Sequence, residues 1–248
     1  MRRLIWAAVL GALLLGLLLL SRGQSVSYPG ATTTPSPPPR PPSLSASIST
    51  FGTLKAPTPR PQPADCRGFV RLTFDDGPDA TVSPQVLDIL KAWNVKATFF
   101  LIGQSITGNE ALVARQVAEG HRIGNHTWDH PHMTQLSAEQ QRLQFQSTTD
   151  AIIAAGAARP TEWRPPFEDH NTSLRNLATS MGMSMTLWTY PTDSNDWKGL
   201  SSTVIRDRVV SGAVKDSIIL QHDRIQNTVT ALPLIIDGLY NKGLCIHP

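Results

Sequence analysis

From Gly68 onward, short apolar runs alternate with longer segments whose apolar residues recur at helical spacing. Residues 69–74, 97–102, a short run between Gly120 and Gly124, and residues 161–164, 184–189 and 217–221 read as strands. Between them, residues 82–93 place Val86, Leu87, Ile89, Leu90 and Trp93 on one helical face. Residues 110–119, 137–155, 172–181, 201–210 and 228–240 read as further helices, and Ser137 with Gln140 three residues on has the form of a capping box. Strand and helix thus repeat about six times, which predicts an α/β fold with a mainly parallel sheet, open or barrel-like. Active sites in such folds gather at the C-terminal ends of the strands.

The chain before this alternation is of another kind. Residues 1–65 hold eleven of the 20 prolines, and six Lys/Arg against one acid, Asp65. Residues 66–248 hold 16 Lys/Arg against 18 acids and all seven histidines. The net charge of +3 therefore belongs to the N-terminal part, and the globular part lacks the basic run that nucleic-acid binding requires. Arg2 and Arg3 precede an uncharged apolar run from residue 4 to 20, which reads as a secretory signal cut after Gly23 or as a retained membrane anchor. Either way the remainder is expected to be exported, with the membrane reached only through that anchor. Residues 24–65, rich in Ser, Thr and Pro, cannot bury apolar area and read as a disordered linker. The folded domain is expected over 66–248. Its only two cysteines, Cys66 and Cys245, bracket it and are a disulfide candidate in an exported protein.

The expected strand ends carry chemistry-bearing residues. Asp75-Asp76 follows the first strand, His126 the third, Arg164 the fourth, Asp193 to Trp197 the fifth, and His222-Asp223 the sixth. Adjacent carboxylates repel unless a cation neutralises one. His126 and His130 stand at i and i+4, so on one helical turn both rings can grip one ion, with Asp129 and His132 as off-spacing alternatives. One carboxylate and two histidines make a three-ligand site with open positions. A second carboxylate as base and a histidine as acid then suffice to hydrolyse an acyl bond.

These segments resemble, in order, the five motifs of the polysaccharide deacetylase (NodB-homology) family, carbohydrate esterase family 4. Thr73-Phe74-Asp75-Asp76-Gly77-Pro78 is similar to the first motif, and His126-Thr127-Trp128-Asp129-His130-Pro131 to the second. Arg164-Pro165-Pro166-Phe167 is similar to the third, Asp193-Ser194-Asn195-Asp196-Trp197 to the fourth, and Leu220-Gln221-His222 to the fifth. The resemblance implies a distorted (β/α) barrel and a division of roles. Asp76, His126 and His130 match the ligands of one divalent metal, usually zinc, sometimes cobalt or nickel. Asp75 matches the catalytic base and His222 the acid, with Arg164 tuning the base and Asp196 orienting the acid. The Phe167 N–H matches an oxyanion donor, and Trp197 and Leu220 match walls of the acetyl pocket. The match departs at Glu168, where the third motif commonly has Gly. That departure bears on the loop carrying the oxyanion donor and on the charge near the subsites.

The expected activity is metal-dependent release of acetate from N-acetylated sugars of a cell-wall or chitin-like glycan. O-deacetylation of acetylxylan is the alternative, because residues 125–136 and 242–245 also look like the secreted acetylxylan-esterase type. A two-His-one-carboxylate iron oxygenase is opposed by the β-α alternation. A glycan-binding relic would be expected to have lost a ligand, the base or the acid.

Overall fold

The computed structural model describes residues 55–248. The leader expected at 1–23 and most of the stretch expected as a linker at 24–65 lie outside them. Six strands lie in the order β5-β4-β3-β2-β1-β6, all parallel: β1 (Gly68–Asp75), β2 (Thr98–Leu101), β3 (Arg122–Asn125), β4 (Glu162–Trp163), β5 (Ser184–Met185) and β6 (Ile218–His222). A seventh, β7 (Leu244–Ile246), pairs in parallel with the start of β1. The sheet curls toward closure through the segment after β5. There Thr189 and Ser194 donate their N–H groups to Ile218 and Leu220 of β6, at 2.9 and 3.1 Å. This is a distorted β/α barrel, one wall of which is an irregular segment rather than a strand.

Among the described residues the α-helices are α1 (Ser83–Ala92), a single turn α2 (Gly103–Ile106), α3 (Glu110–Ala118), α4 (Ala138–Ala154), α5 (Thr172–Ser180), α6 (Ser202–Gly212) and α7 (Gln226–Asn241). The capping box at Ser137 and Gln140 opens α4, each side chain taking the other residue's N–H. Side-chain alternation along the strands separates two environments. Val70, Leu72 and Phe74 of β1, with Phe99 and Leu101 of β2, join the apolar core that packs under the helices. Arg71, Thr73 and Asp75 are the alternate residues of β1, and their contacts run to β4 across the barrel interior, which is therefore polar.

Residues 55–65 form no helix or strand, yet they lie against the domain. Arg60 pairs with Asp237 at 2.9 Å and with Asn241 at 2.7 Å on α7, and the Ile246 N–H donates to Gln62 at 2.7 Å. Cys66 and Cys245 are bonded, their Cα atoms 5.6 Å apart, tying this segment to β7. Such a long closed loop stabilises the fold by roughly 2–5 kcal/mol. Among the described residues no helix is long and apolar enough to cross a membrane.

Two local expectations are corrected. The extended run at 184–189 is a strand only at Ser184–Met185, because the carbonyls of Thr186 and Leu187 turn to accept from Arg164. Residues 126–130 are not a helical turn: Thr127 and His130 have φ of 69° and 61°, and the chain leaves β3 as a loop. Gly103 and Gln104 hold that loop by donating to the carbonyls of Thr127 and Trp128.

Candidate active site

β1 ends in a buried Asp75 whose carboxylate accepts from Arg164 Nη1 at 2.7 Å. Arg164, the residue after β4, is wholly buried. It donates to Thr73 Oγ1 at 2.8 Å and to the Thr186 carbonyl at 3.0 Å, and its guanidinium lies 4.2 Å from the Phe100 ring centre. Burial lowers the Arg164 pKa and Asp75 works against it. An arginine remains charged under such pressure, so Asp75 keeps a fixed cation beside it.

Asp76 follows with φ 74°, a left-handed turn that brings the second carboxylate to the same rim. Behind it, a Cβ on Gly77 would overlap the carboxylate of Asp223, so only glycine fits. Asp223 is buried, accepts from Ser83 Oγ at 2.5 Å, and is pushed up to about 7, first by burial and further by the charge of Asp76, against the Ser83 hydrogen bond.

The Nε2 atoms of His126 and His130 each lie 3.4 Å from Asp76 Oδ1. One ligand atom from each of Asp76, His126 and His130 falls within 4.8 Å of the others. Asp76 Oδ1 is buried and has no hydrogen-bond partner. His126 Nδ1 is 2.8 Å from the Arg164 carbonyl, which can only accept, so Nδ1 carries a proton and Nε2 is the ring atom that faces Asp76. Burial opposes ionisation of Asp76, but the polar contact and charge of His126, then His222 and His130, hold its carboxyl well below the usual carboxylate range. Burial and the charge of His126 pull His130 down to about 4. An ionised carboxylate and neutral imidazoles are what a divalent cation requires of its ligands. A buried oxygen left unanswered between two imidazole nitrogens fits a metal better than it fits a protein hydrogen-bond network. The ligands converge through the loop backbone, with the Asn125 side chain accepting from the Thr127 N–H at 2.9 Å, and not through helical spacing. Asp129, bonded instead to Gln144, and His132, stacked on Phe167, stay out of the cluster.

His222 closes β6 on the other side. Its Nδ1 lies 2.6 Å from Asp196 Oδ1, and its backbone N–H donates to Asp196 Oδ2 at 2.8 Å. Asp196 is fully buried and also accepts from Thr228 Oγ1 at 2.5 Å and from the Trp197 N–H at 2.9 Å. Burial works to lower the His222 pKa. The hydrogen bond and charge of Asp196, helped by Asp75 and Asp76, outweigh it and raise the imidazole to about 9. Asp196 is lowered in turn, against its burial, by His222 and Thr228.

Asp75, Asp76, His126, His130 and His222 meet in one cavity of about 410 Å³, lined also by Phe167, Trp197 and Leu220. Leu220 is buried, whereas Phe167 and Trp197 are each 59% exposed at the mouth. Phe167 sits at φ 56°, its ring stacked on His132 and edge-on to His130.

The sequence profile of the polysaccharide deacetylases matches residues 63–186. The chain belongs to the polysaccharide deacetylase family. It is similar to a peptidoglycan-N-acetylglucosamine deacetylase of Listeria monocytogenes, 37% identical over 174 residues covering 70% of this chain and 36% of the relative. It is also similar to a bifunctional xylanase/deacetylase of Pseudobutyrivibrio xylanivorans, 41% identical over 180 residues, 71% of this chain and 29% of that protein. The chain thus spans about a third of the length of these curated relatives. Among solved structures, a family 4 carbohydrate esterase from Streptomyces lividans in complex with acetate superposes with a TM-score of 0.70 at 38% identity, over 74% of this chain and 93% of that one.

Several residues of this family member's site escape a reading of the sequence. Trp188 lines the cavity, and Thr186 and Thr228 brace Arg164 and Asp196. Trp188 lies in an aromatic-rich segment that could have been flagged. Thr228 carries no local signal, because a helix start far along the chain brings it to Asp196.

Proposed function

We propose that the protein is an exported, metal-dependent deacetylase that releases acetate from N-acetylated sugars of a cell-wall or chitin-like glycan. One observation carries the reading. A carboxylate held by a buried arginine and an imidazole held by a buried aspartate line the same cavity as the Asp76, His126 and His130 cluster. The relative named for peptidoglycan-N-acetylglucosamine supports the N-acetyl substrate, and the xylan-degrading relative keeps O-deacetylation of acetylxylan as the second reading.

Asp76, His126 and His130 are the ligands in this reading, and the nitrogen–oxygen donor set suits zinc, with cobalt or nickel also accommodated. A divalent ion held by these three residues would supply Lewis acidity toward the acetyl carbonyl and would acidify the attacking water. Asp75 accepts the proton of that water while Arg164 keeps the carboxylate aimed. The new C–O bond forms at the acetyl carbon, and the Phe167 N–H faces the developing oxyanion. As the C–N bond breaks, His222 hands its Nε2 proton to the leaving nitrogen, and Asp196 stabilises the imidazolium until then. Acetate and a free amine result. Leu220 and Trp197 enclose the acetyl methyl. The glycan approaches from solvent, and export is supported by the reading of residues 1–23 as a leader or anchor and by the disulfide.

The test is acetate release from a panel of N-acetylated and O-acetylated glycans, with zinc, cobalt or chelator added. Chelator-sensitive release from N-acetyl substrates is expected. Activity indifferent to chelator in a protein that holds no metal overturns the reading.

A further inference from the structure

We propose that Glu168 reads the charge of the sugar next to the one being hydrolysed, favouring a neighbour with a free ammonium over one that is acetylated or carries a carboxylate. This rests on the deacetylase reading and names the substrate that site prefers. Glu168 lies at φ 58° directly after Phe167 at φ 56°, two consecutive left-handed residues that are not glycine. Such a conformation persists only where its surroundings over-determine it, and it marks ligand clamps more often than idle loops.

The surroundings do fix it. On one side the Phe167 ring stacks on His132, centroids 4.3 Å apart. On the other, the Asp169 carboxylate accepts the N–H and hydroxyl of Thr134 at 2.9 and 2.7 Å. The Glu168 and Asp169 N–H groups donate back to Pro165 and Pro166 at 3.2 and 2.9 Å.

A braced, strained loop thus presents an exposed carboxylate to the wall of the active cavity. The other carboxylates of that wall are engaged. Asp75 holds Arg164, Asp76 belongs to the ligand cluster, and Asp193 Oδ1 accepts the Asn195 N–H at 2.9 Å. Glu168 takes no part in the ion pairs found among the described residues. Nearby cations are turned elsewhere: Arg224 faces Asp76 at 4.0 Å, and Lys198 Nζ lies 4.8 Å from the Trp197 ring centre.

An unpaired anion beside the reacting sugar attracts an ammonium and repels a carboxylate. The product of one turnover is an amine, so the product sugar becomes the favoured neighbour in the next. Amino groups should therefore accumulate in runs along the glycan.

The test uses metal-loaded full-length protein and oligosaccharides that differ only in the neighbour: N-acetylglucosamine, glucosamine, or N-acetylmuramic acid, which carries a carboxylate and no free amine. Acetate release is followed at a pH where the amine is protonated. Wild type should favour the glucosamine neighbour over the acetylated one by about two- to fivefold, the size of a partly exposed ion pair, mainly through KM. The carboxylate-bearing neighbour should rank last, and salt should compress the order. In Glu168→Gln, which keeps backbone and shape but loses the charge, the ratio should fall to about one. Glu168→Gly should abolish the ratio too and raise Tm, because glycine relieves the left-handed strain. An unchanged ratio in Glu168→Gln, or no preference in wild type, overturns the proposal. Absence of acetate from every substrate overturns the deacetylase reading instead, and this proposal with it.

Discussion

The barrel holds two charge clusters, one toward each end of its strands, and they are built on opposite principles. In the lower one Glu162 of β4 meets Arg71 of β1 at 3.0 Å, Arg122 of β3 at 2.6 Å and Thr186 Oγ1 at 2.6 Å. Both its carboxylate oxygens are answered by protein donors. In the upper one, just past the end of β1, Asp76 Oδ1 is buried between two imidazoles with no hydrogen bond. A carboxylate whose oxygens are both answered fixes a structure, while a buried one left unanswered awaits a ligand. Thr186 joins the two, giving its hydroxyl to Glu162 and its carbonyl to Arg164. The Glu162 cluster thus helps hold the arginine that positions Asp75.

The largest expected break is Asp76→Ala. With the carboxylate gone, His126 and His130 are left as a two-ligand site, so metal content should fall to background and acetate release with it. Elemental analysis beside the activity assay checks this, and retained metal would mean that Asp75 is the ligand. Next come Asp75→Asn and His222→Ala, each expected to cost about 10²–10⁴-fold in kcat while metal stays bound. Near-normal turnover of His222→Ala on an N-acetyl substrate would remove it from the acid role.

The contrast between the clusters also explains what was readable beforehand. The alternation of apolar runs carried the β-α order, because core-facing residues such as Leu72, Phe74 and Leu87 are selected by burial at fixed periods. The upper cluster was legible because its residues come in compact motifs at strand ends. Its convergence was misread at 126–130, where backbone turns at Thr127 and His130 do what helical spacing was expected to do. The lower cluster was invisible, since Arg71, Arg122 and Glu162 are far apart in the chain and only the sheet's register joins them. The segment closing the barrel was misjudged because the claim of Arg164 on the carbonyls of Thr186 and Leu187 is a tertiary effect.

A smaller effect comes from the partner of the acid. Asp196→Asn keeps the shape around His222 but removes the charge that holds the imidazole up at about 9. A general acid works while protonated, so activity of the wild type should fall as pH rises through about 9. In Asp196→Asn that basic limb should move down toward the ordinary imidazole value of about 6.5. A pH profile of kcat/KM on an N-acetyl substrate shows the displacement, and a limb that stays in place would assign it to another group.

The smallest effect sharpens the comparison most. Glu162→Gln leaves two arginines facing a neutral amide, and should cost about 1–3 kcal/mol of stability with turnover changed little. Burial raises the Glu162 pKa, but the Thr186 hydrogen bond with Arg71 and Arg122 lowers it overall. A carboxylate depressed in the folded state contributes stability above its unfolded pKa of about 4.3 and loses it as pH falls through the folded value. The gap between wild type and Glu162→Gln in urea midpoint should therefore be full at neutral pH and shrink in acid. Chelator should not alter that gap, because every oxygen of the lower cluster is answered by the protein itself. The stability difference between wild type and Asp76→Ala should behave the other way, present with zinc and changed by its removal. If chelator also closed the Glu162→Gln gap, the two clusters would form one metal-dependent network, coupled through Thr186 and Arg164.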